Sequence, residues 1–192
     1  ADNVIRLMDM CEEKFGGIDI LIINHTHSAL ETFDPAITAE SRGEIRLITA
    51  ESIDRHFAIN SRASALLMAE YLRRYIDRGA NWGRVITMTS AASHAWNISY
   101  AASKRALVSY SQAAAEEMGH YGITVNTVCP GPTQTGYITT EDEQHLADNT
   151  PLNRVGQPED VADVIVFLTS EQSRWVTGQI MYTAGGFMMF PS

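Results

Sequence analysis

Two kinds of apolar spacing alternate along the chain. Short and almost continuous apolar runs are typical of parallel strands buried on both faces, whereas apolar residues at three- and four-residue steps build one face of a helix. The runs that predict strands lie at 18–24, 84–89, 123–128 and 179–183. The helical spacing predicts helices at 3–15, 52–78 and 100–118, and a fourth from about Pro158.

Helices that alternate with buried strands indicate an α/β fold, with a doubly wound and mostly parallel sheet between two helical layers. Such sheets bind ligands beyond the carboxyl ends of their strands, so we expect the functional residues at 24–27, 90–100 and 130–135. The stretches 25–49 and 133–156 show neither spacing. They are predicted to be irregular, with room for one short helix in the second.

Composition narrows the functions open to the chain. Its 192 residues suit one domain, and an apolar share of 45% predicts a packed core. Lys and Arg number 14 against 23 Asp and Glu, so the net charge of −9 excludes a generic nucleic-acid binder and a polybasic membrane anchor. No apolar run approaches the roughly 20 residues that span a bilayer, and two cysteines cannot form a disulfide framework. A reduced, cytoplasmic setting is expected.

The spacing Tyr100-Ala-Ala-Ser-Lys104 carries the clearest chemistry. Residues i and i+4 share one face of a helix, so the phenol and the ammonium can approach one another. A nearby cation favours the phenolate and lowers the pKa of a tyrosine from about 10, which suits a general acid or base. Many helices carry such a pair by chance, but the chain has only two lysines against twelve arginines. That bias indicates a specific need for an ammonium at 104.

Two polar residues accompany this pair. Ser90 directly follows a predicted strand, ten residues before Tyr100, so a loop can bring its hydroxyl beside the phenol. Asn60 lies inside a predicted helix, where asparagine is a poor helix former. A solvent-facing side chain is one interpretation of Asn60. Its apolar neighbours favour the other, a buried amide that needs partners.

In these features the chain resembles the short-chain dehydrogenase/reductase family over almost its whole length. It is most similar to the beta-ketoacyl carrier-protein reductase type. The matching stretches are Gly17–Asn24, His56–Asn60, Gly83–Ser90, Tyr100–Lys104, Gly122–Asn126, Pro130–Gly131, Arg154–Asp160 and Thr177–Gln179. Each stretch is weak alone, but their order along the chain is specific.

The resemblance implies a Rossmann-like fold and a set of catalytic roles. Tyr100 would exchange the substrate proton, Ser90 would hydrogen-bond the substrate oxygen, and Lys104 would bind the nicotinamide ribose and lower the pKa of Tyr100. Asn60 would support a water relay to Lys104. The implied reaction is hydride transfer between NAD or NADP and the carbonyl or alcohol group of a small or acyl substrate.

The resemblance also implies cofactor contacts outside the tyrosine–lysine pair. The carboxamide of the nicotinamide would be bordered by Pro130, Gly131 and the backbone around Thr133. The Thr135 hydroxyl would lie close by. Asn24 would lie near the cofactor ribose. The family's glycine-rich turn and the strand that selects NAD or NADP do not occur in this sequence. We therefore expect residues 1–192 to form a single domain, the C-terminal three quarters of a Rossmann-fold dehydrogenase, which leaves the choice of cofactor unreadable.

Smaller departures from the family alter the expected site. The loop that leads to the candidate tyrosine is short, so Thr89 and Ser93 are alternative hydroxyls. His94 in that loop is predicted to line the substrate pocket. Residues 31–50 contain an insertion. The pair in His25-Thr-His27 lacks a neighbouring carboxylate or cysteine cluster, so no metal site is predicted.

Two other functions stay open. A halohydrin dehalogenase is similar in fold but binds no dinucleotide, and the missing glycine turn favours this family. Lys104 argues against it, because the resemblance to that family would require Tyr-x-x-x-Arg at this place. A truncated, non-catalytic oligomerisation module is the other alternative. By the same resemblance, the helices at 52–78 and 100–118 would pair with a second copy, giving a homodimer or homotetramer that acts on a small molecule.

Overall fold

A computed structural model describes residues 2–37, 45–90 and 95–187. The strands are β1 (Ile20–Ile23), β2 (Glu31–Thr32), β3 (Arg46–Leu47), β4 (Gly83–Met88), β5 (Ile123–Pro130) and β6 (Ile180–Thr183). The α-helices are α1 (Asp2–Phe15), α2 (Ala50–His56), α3 (Ala63–Asp77), α4 (Ile98–Met118), α5 (Thr140–Asp148) and α6 (Pro158–Thr169). A π-helical segment (Phe57–Arg62) joins α2 to α3. Within the described ranges, every helix is too short or too polar to cross a membrane.

Four parallel strands form the central sheet in the order β1-β4-β5-β6. Successive side chains of a strand point to opposite faces, so Val85 and Ile86 of β4 enter separate cores. Val85 packs with the helices α1, α3 and α4 through residues such as Leu107, whereas Ile86 packs with Leu168 of α6. Helices therefore cover both faces of a parallel sheet, and the predicted α/β doubly wound fold is confirmed.

Two stretches differ from their predictions. The stretch 25–49, predicted to be irregular, contains β2 and β3, which pair in parallel as a separate two-stranded sheet. Strands of two residues are too short to show a period of two, so the sequence pattern could not reveal them. The helix predicted at 52–78 begins at Ala50 and is interrupted by the π-helical segment, which contains Asn60. Such interruptions occur frequently at functional sites.

Candidate active site

The carboxyl ends of the central strands bring three predicted segments to one edge of the sheet. Ile23 at the end of β1 pairs with Thr87 of β4, and Met88 pairs with Val128 of β5. Asn24 follows β1 and is exposed, while Ser90 follows β4 and is half-buried. Ligands of doubly wound sheets bind at this edge, so the segments predicted from the sequence lie where a ligand is expected.

Tyr100 and Lys104 lie on the first turns of α4 and face one another. The Lys104 Nζ atom is 6.0 Å from the centre of the Tyr100 ring. The lysine side chain is 3% exposed, and its Nζ donates a hydrogen bond of 2.9 Å to the main-chain oxygen of Met88. Since Met88 ends β4, this bond fixes the ammonium at the ligand-binding edge, beneath the phenol.

Burial makes the Lys104 ammonium unusual. Loss of hydration lowers the pKa of Lys104 to about 8, because burial disfavours the charged form. An ammonium has three N–H donors, and among the described residues only Met88 accepts one of them. Within the described ranges the other two donors of this buried cation have no protein acceptor, so a ligand with oxygen acceptors can bind there. The vicinal hydroxyl groups of a ribose fit that requirement, so this part of the site suits a nicotinamide nucleotide.

Asn60 is fully buried and all four hydrogen-bonding positions of its amide are used. Oδ1 accepts from the His27 N–H (2.7 Å) and the Thr26 hydroxyl (3.2 Å). Nδ2 donates to the main-chain oxygen of His27 (2.8 Å) and to Ser103 Oγ (2.9 Å). The solvent-facing interpretation of Asn60 is therefore wrong. The side chain holds the loop after β1 against α4, and the main-chain oxygen of Asn60 accepts a hydrogen bond from Ser64 Oγ.

The turn after β5 is tightly packed. The Gly131 N–H donates to the Thr183 main-chain oxygen (3.2 Å), and a Cβ at Gly131 would lie 2.7 Å from the Cα of Ala184. Thr133 Oγ1 donates to the Gly131 oxygen (3.0 Å), so this hydroxyl stabilises the turn, which Pro130 begins. Thr135 is exposed two residues further on.

The Thr89 hydroxyl and the His25 ring contact main-chain oxygens of neighbouring helical segments. Thr89 is buried, and its Oγ1 donates to the Lys104 main-chain oxygen on α4 at 3.4 Å. Ser93 and His94 lie outside the described residues. His25 Nε2 lies 2.9 Å from the Ile59 main-chain oxygen in the π-helical segment, whereas the His27 ring packs against the ring of His56, with 4.6 Å between their centres. Among residues 2–37, 45–90 and 95–187, no group of three potential metal ligands occurs.

Two buried groups next to the site were missed by the sequence analysis. Glu31 is 1% exposed and contacts the start of α4, and His56 is fully buried and accepts a hydrogen bond from the Ala29 N–H through Nε2 (3.2 Å). Glu31 stands in a stretch without periodicity, so no pattern marked it. His56 was part of a matching stretch, but its spacing alone did not reveal its partner.

Comparison with known proteins gives a consistent result. The model of a family described as enoyl-(acyl carrier protein) reductase matches residues 1–188. The uncharacterized oxidoreductase YjdA of Bacillus subtilis is 36% identical over 98% of this chain and 71% of its own length. The short chain dehydrogenase/reductase AacuN of Aspergillus aculeatus is 32% identical over 97% of this chain and 72% of its own length.

Solved structures agree with these relatives. The angucycline C-6 ketoreductase LanV, solved with bound NADP, is 27% identical with a TM-score of 0.78, over 97% of this chain and 70% of its own. A short chain dehydrogenase from Bacillus anthracis shares the fold, with a TM-score of 0.80 and 24% identity over 99% of this chain and 73% of its own. The prediction of an NAD(P)-dependent oxidoreductase is confirmed, and neither alternative is favoured. The chain belongs to the short-chain dehydrogenase/reductase family.

Proposed function

We propose that the chain interconverts a carbonyl and an alcohol group on a small molecule, with Tyr100 as the group that gives or takes the proton. The observation that carries this proposal is the buried Lys104 ammonium, one helical turn from the Tyr100 ring and hydrogen-bonded to the end of β4. A phenol held at the ligand-binding edge can act as a general acid or base towards a substrate oxygen. The ketoreductase named among the solved structures supports a ketone as the substrate class.

Each remaining predicted residue has a place in this proposal. The Lys104 ammonium would hold the ribose hydroxyls of NAD or NADP, and the nicotinamide, when bound, would supply or accept the hydride. The Ser90 hydroxyl holds the substrate oxygen beside Tyr100. Asn60 supports the relay of protons towards Lys104 through its main-chain oxygen. Asn24, Pro130, Gly131, Thr133 and Thr135 surround the cofactor at the carboxyl edge of the sheet.

Nicotinamide absorbance tests the proposed reaction directly. The purified protein is mixed with NADH or NADPH and a panel of cyclic, aromatic and acyl ketones, and the same panel is supplied as alcohols with NAD or NADP. We expect turnover with at least one pair, which also identifies the preferred cofactor. Halide release from a vicinal haloalcohol without any nicotinamide, in the absence of ketone reduction, would contradict the proposal and favour the dehalogenase.

We also propose that the protein is a homodimer or a homotetramer. A groove of about 490 Å³ lies between the π-helical segment and α4, and its lining includes Phe57, which is 36% exposed, and Tyr110, which is 49% exposed. Exposed aromatic side chains on two adjacent helices favour association, since burying them removes apolar surface from water.

Light scattering of the wild type is expected to give at least twice the mass of one chain. Tyr110→Glu is expected to lower that mass, and a monomeric wild type would contradict the proposal.

A cytoplasmic location completes the proposal. Cys11 and Cys129 are both free thiols, and Cys129 is buried in the core. Free thiols are typical of reducing compartments, in which disulfides do not persist. Nicotinamide nucleotides are found in the same compartment as the reduced thiols, so the two parts of the proposal are compatible.

A further inference from the structure

We propose that Glu31 is a positioning residue for Tyr100: its buried carboxylate holds the first turn of α4 in the conformation that places the phenol over Lys104. This inference rests on the proposed function, in which Tyr100 handles the substrate proton. Glu31 belongs to β2, in the segment that departs from the family pattern. None of the predicted roles includes it.

The start of α4 does not stabilise itself. The first N–H groups of a helix need acceptors, which an N-cap side chain ordinarily supplies. The N-cap of α4 is Asn97, and its side chain makes no capping hydrogen bond. The preceding residue, Trp96, has a φ of 62°, a left-handed conformation that is unfavourable for a bulky residue. Both features lie within four residues of Tyr100, so an external contact has to hold this turn.

Glu31 supplies that contact with both its backbone and its side chain. Its N–H donates to the main-chain oxygen of Trp96 (2.8 Å), and its Oε2 accepts from the N–H of Ser99 (2.8 Å). One bond therefore holds the left-handed residue Trp96, and the other satisfies an N–H group in the first turn of α4. A carboxylate beside a helix N-terminus is also favoured by the helix dipole. Burial acts to raise the pKa of Glu31, but hydrogen bonding at Oε2, where the Ser99 N–H donates, outweighs it and leaves the pKa below its usual value.

Glu31 is itself held in place from the opposite side. Its strand pairs with β3, where the Arg46 N–H donates to the Leu30 oxygen (3.1 Å) and the Ile48 N–H donates to the Thr32 oxygen (3.0 Å). The neighbouring Ala29 N–H donates to the buried His56 on α2. The carboxylate is therefore presented by a hydrogen-bonded strand, from which it can restrain the first turn of α4.

The consequence for the reaction follows from the position of Tyr100. Tyr100 directly follows Ser99, so release of the Ser99 N–H allows the first turn to fray and the phenol to move. A misplacement of about 1 Å can lower a rate about 10²-fold. Lys104 lies one turn further along and is held independently through Met88. Loss of Glu31 should therefore impair the chemical step and spare the binding of the nicotinamide.

Two substitutions separate this role from general stability. Glu31→Leu removes the acceptor, and Glu31→Gln retains a neutral one. We expect kcat to fall about 30- to 100-fold in Glu31→Leu and about 3- to 10-fold in Glu31→Gln, because charged hydrogen bonds are about twice as strong as neutral ones. The KM for the nicotinamide should change less than about twofold in both, since Lys104 is untouched. Glu159→Gln is the control: Glu159 is an exposed acid in the first turn of α6, and its substitution should leave kcat unchanged.

Hydrogen exchange gives a readout that does not depend on turnover. In both Glu31 variants, protection should fall in the peptide that covers residues 95–103 and remain at the wild-type level in α1, α3 and α6. An unchanged kcat in Glu31→Leu, a KM that rises as kcat falls, or a loss of protection spread over all helices would overturn the proposal. If Glu31→Leu does not fold, Glu31→Gln decides by the same criteria. Absence of any nicotinamide-dependent turnover in the wild type would refute the proposed function, while the exchange pattern would still decide whether Glu31 holds this turn.

Discussion

Replacement of Tyr100 by phenylalanine is expected to lower kcat by about 10²- to 10⁴-fold, the usual contribution of a well-placed general acid or base. The change removes the phenolic oxygen and leaves the ring, so the packing of α4 at this half-buried position should be preserved. The KM for the nicotinamide should stay close to the wild-type value, because the Lys104 ammonium and its bond to Met88 remain. Steady-state kinetics with the substrate found in the ketone panel measure both quantities.

Tyr121→Phe is the matched control for this experiment. Tyr121 follows the opposite end of α4. The substitution therefore removes the same kind of hydroxyl group far from the carboxyl edge of the sheet. Its kcat should remain at the wild-type level. A Tyr100→Phe protein that turns over as fast as the wild type would remove Tyr100 from the reaction and with it the proposed mechanism.

Lys104→Met is expected to abolish most activity and to alter the pH dependence of stability. The buried ammonium has a pKa of about 8 in the folded protein, against 10.5 for an ordinary lysine. Between these values the Lys104 side chain binds more protons in the unfolded chain than in the folded one, so its contribution to the unfolding free energy rises with pH through this window and is constant below and above it. A difference of about 2.5 pKa units corresponds to about 3 kcal/mol. Lys104→Met lacks this contribution.

The measurement is chemical denaturation of wild type and variant from pH 7 to pH 10.5. Between pH 7 and pH 10.5, the unfolding free energy of the wild type minus that of Lys104→Met should increase by up to about 3 kcal/mol. Loss of the hydrogen bond to Met88 adds a difference that does not depend on pH, so it does not affect this increase. Lys14→Met is the control, since Lys14 is the chain's other lysine and lies exposed on α1. A pH-independent difference for Lys104→Met would mean that the ammonium is hydrated in the folded protein, contrary to its 3% exposure.

The activity of Lys104→Met separates it from the Glu31 variants. Loss of the ammonium removes the proposed donor to the ribose and a charge beside Tyr100, so both kcat and the affinity for the nicotinamide should fall. The Glu31 variants should lose kcat alone. Isothermal titration of the nicotinamide into each variant distinguishes the two patterns, and a normal affinity in Lys104→Met would contradict the ribose-binding role proposed for its ammonium.

The buried strands and the long helices were predictable because their apolar spacing is local. β4 is displaced by one residue from the run predicted at 84–89, and α4 begins at Ile98, two residues before the predicted start. Tyr100 and Lys104 were placed on one helical face by their spacing alone, and the structure has them there. Asn60 was expected to be buried from its apolar flanks, but its four partners come from 26, 27 and 103, which no local pattern connects to it.

The sequence by itself determined the order of the central strands and the long helices, the edge of the sheet at which ligands are expected, and the residue types that carry the chemistry. These follow from periodicity and from side-chain chemistry, which are properties of neighbouring positions. Only the tertiary structure decided that Lys104 is dehydrated beneath Tyr100, that Asn60 holds the loop after β1, and that Glu31 contacts the start of α4 from 68 residues away. Burial and hydrogen bonding between distant segments arise when the chain folds, so the energies that hold this site together depend on contacts that spacing along the chain does not encode.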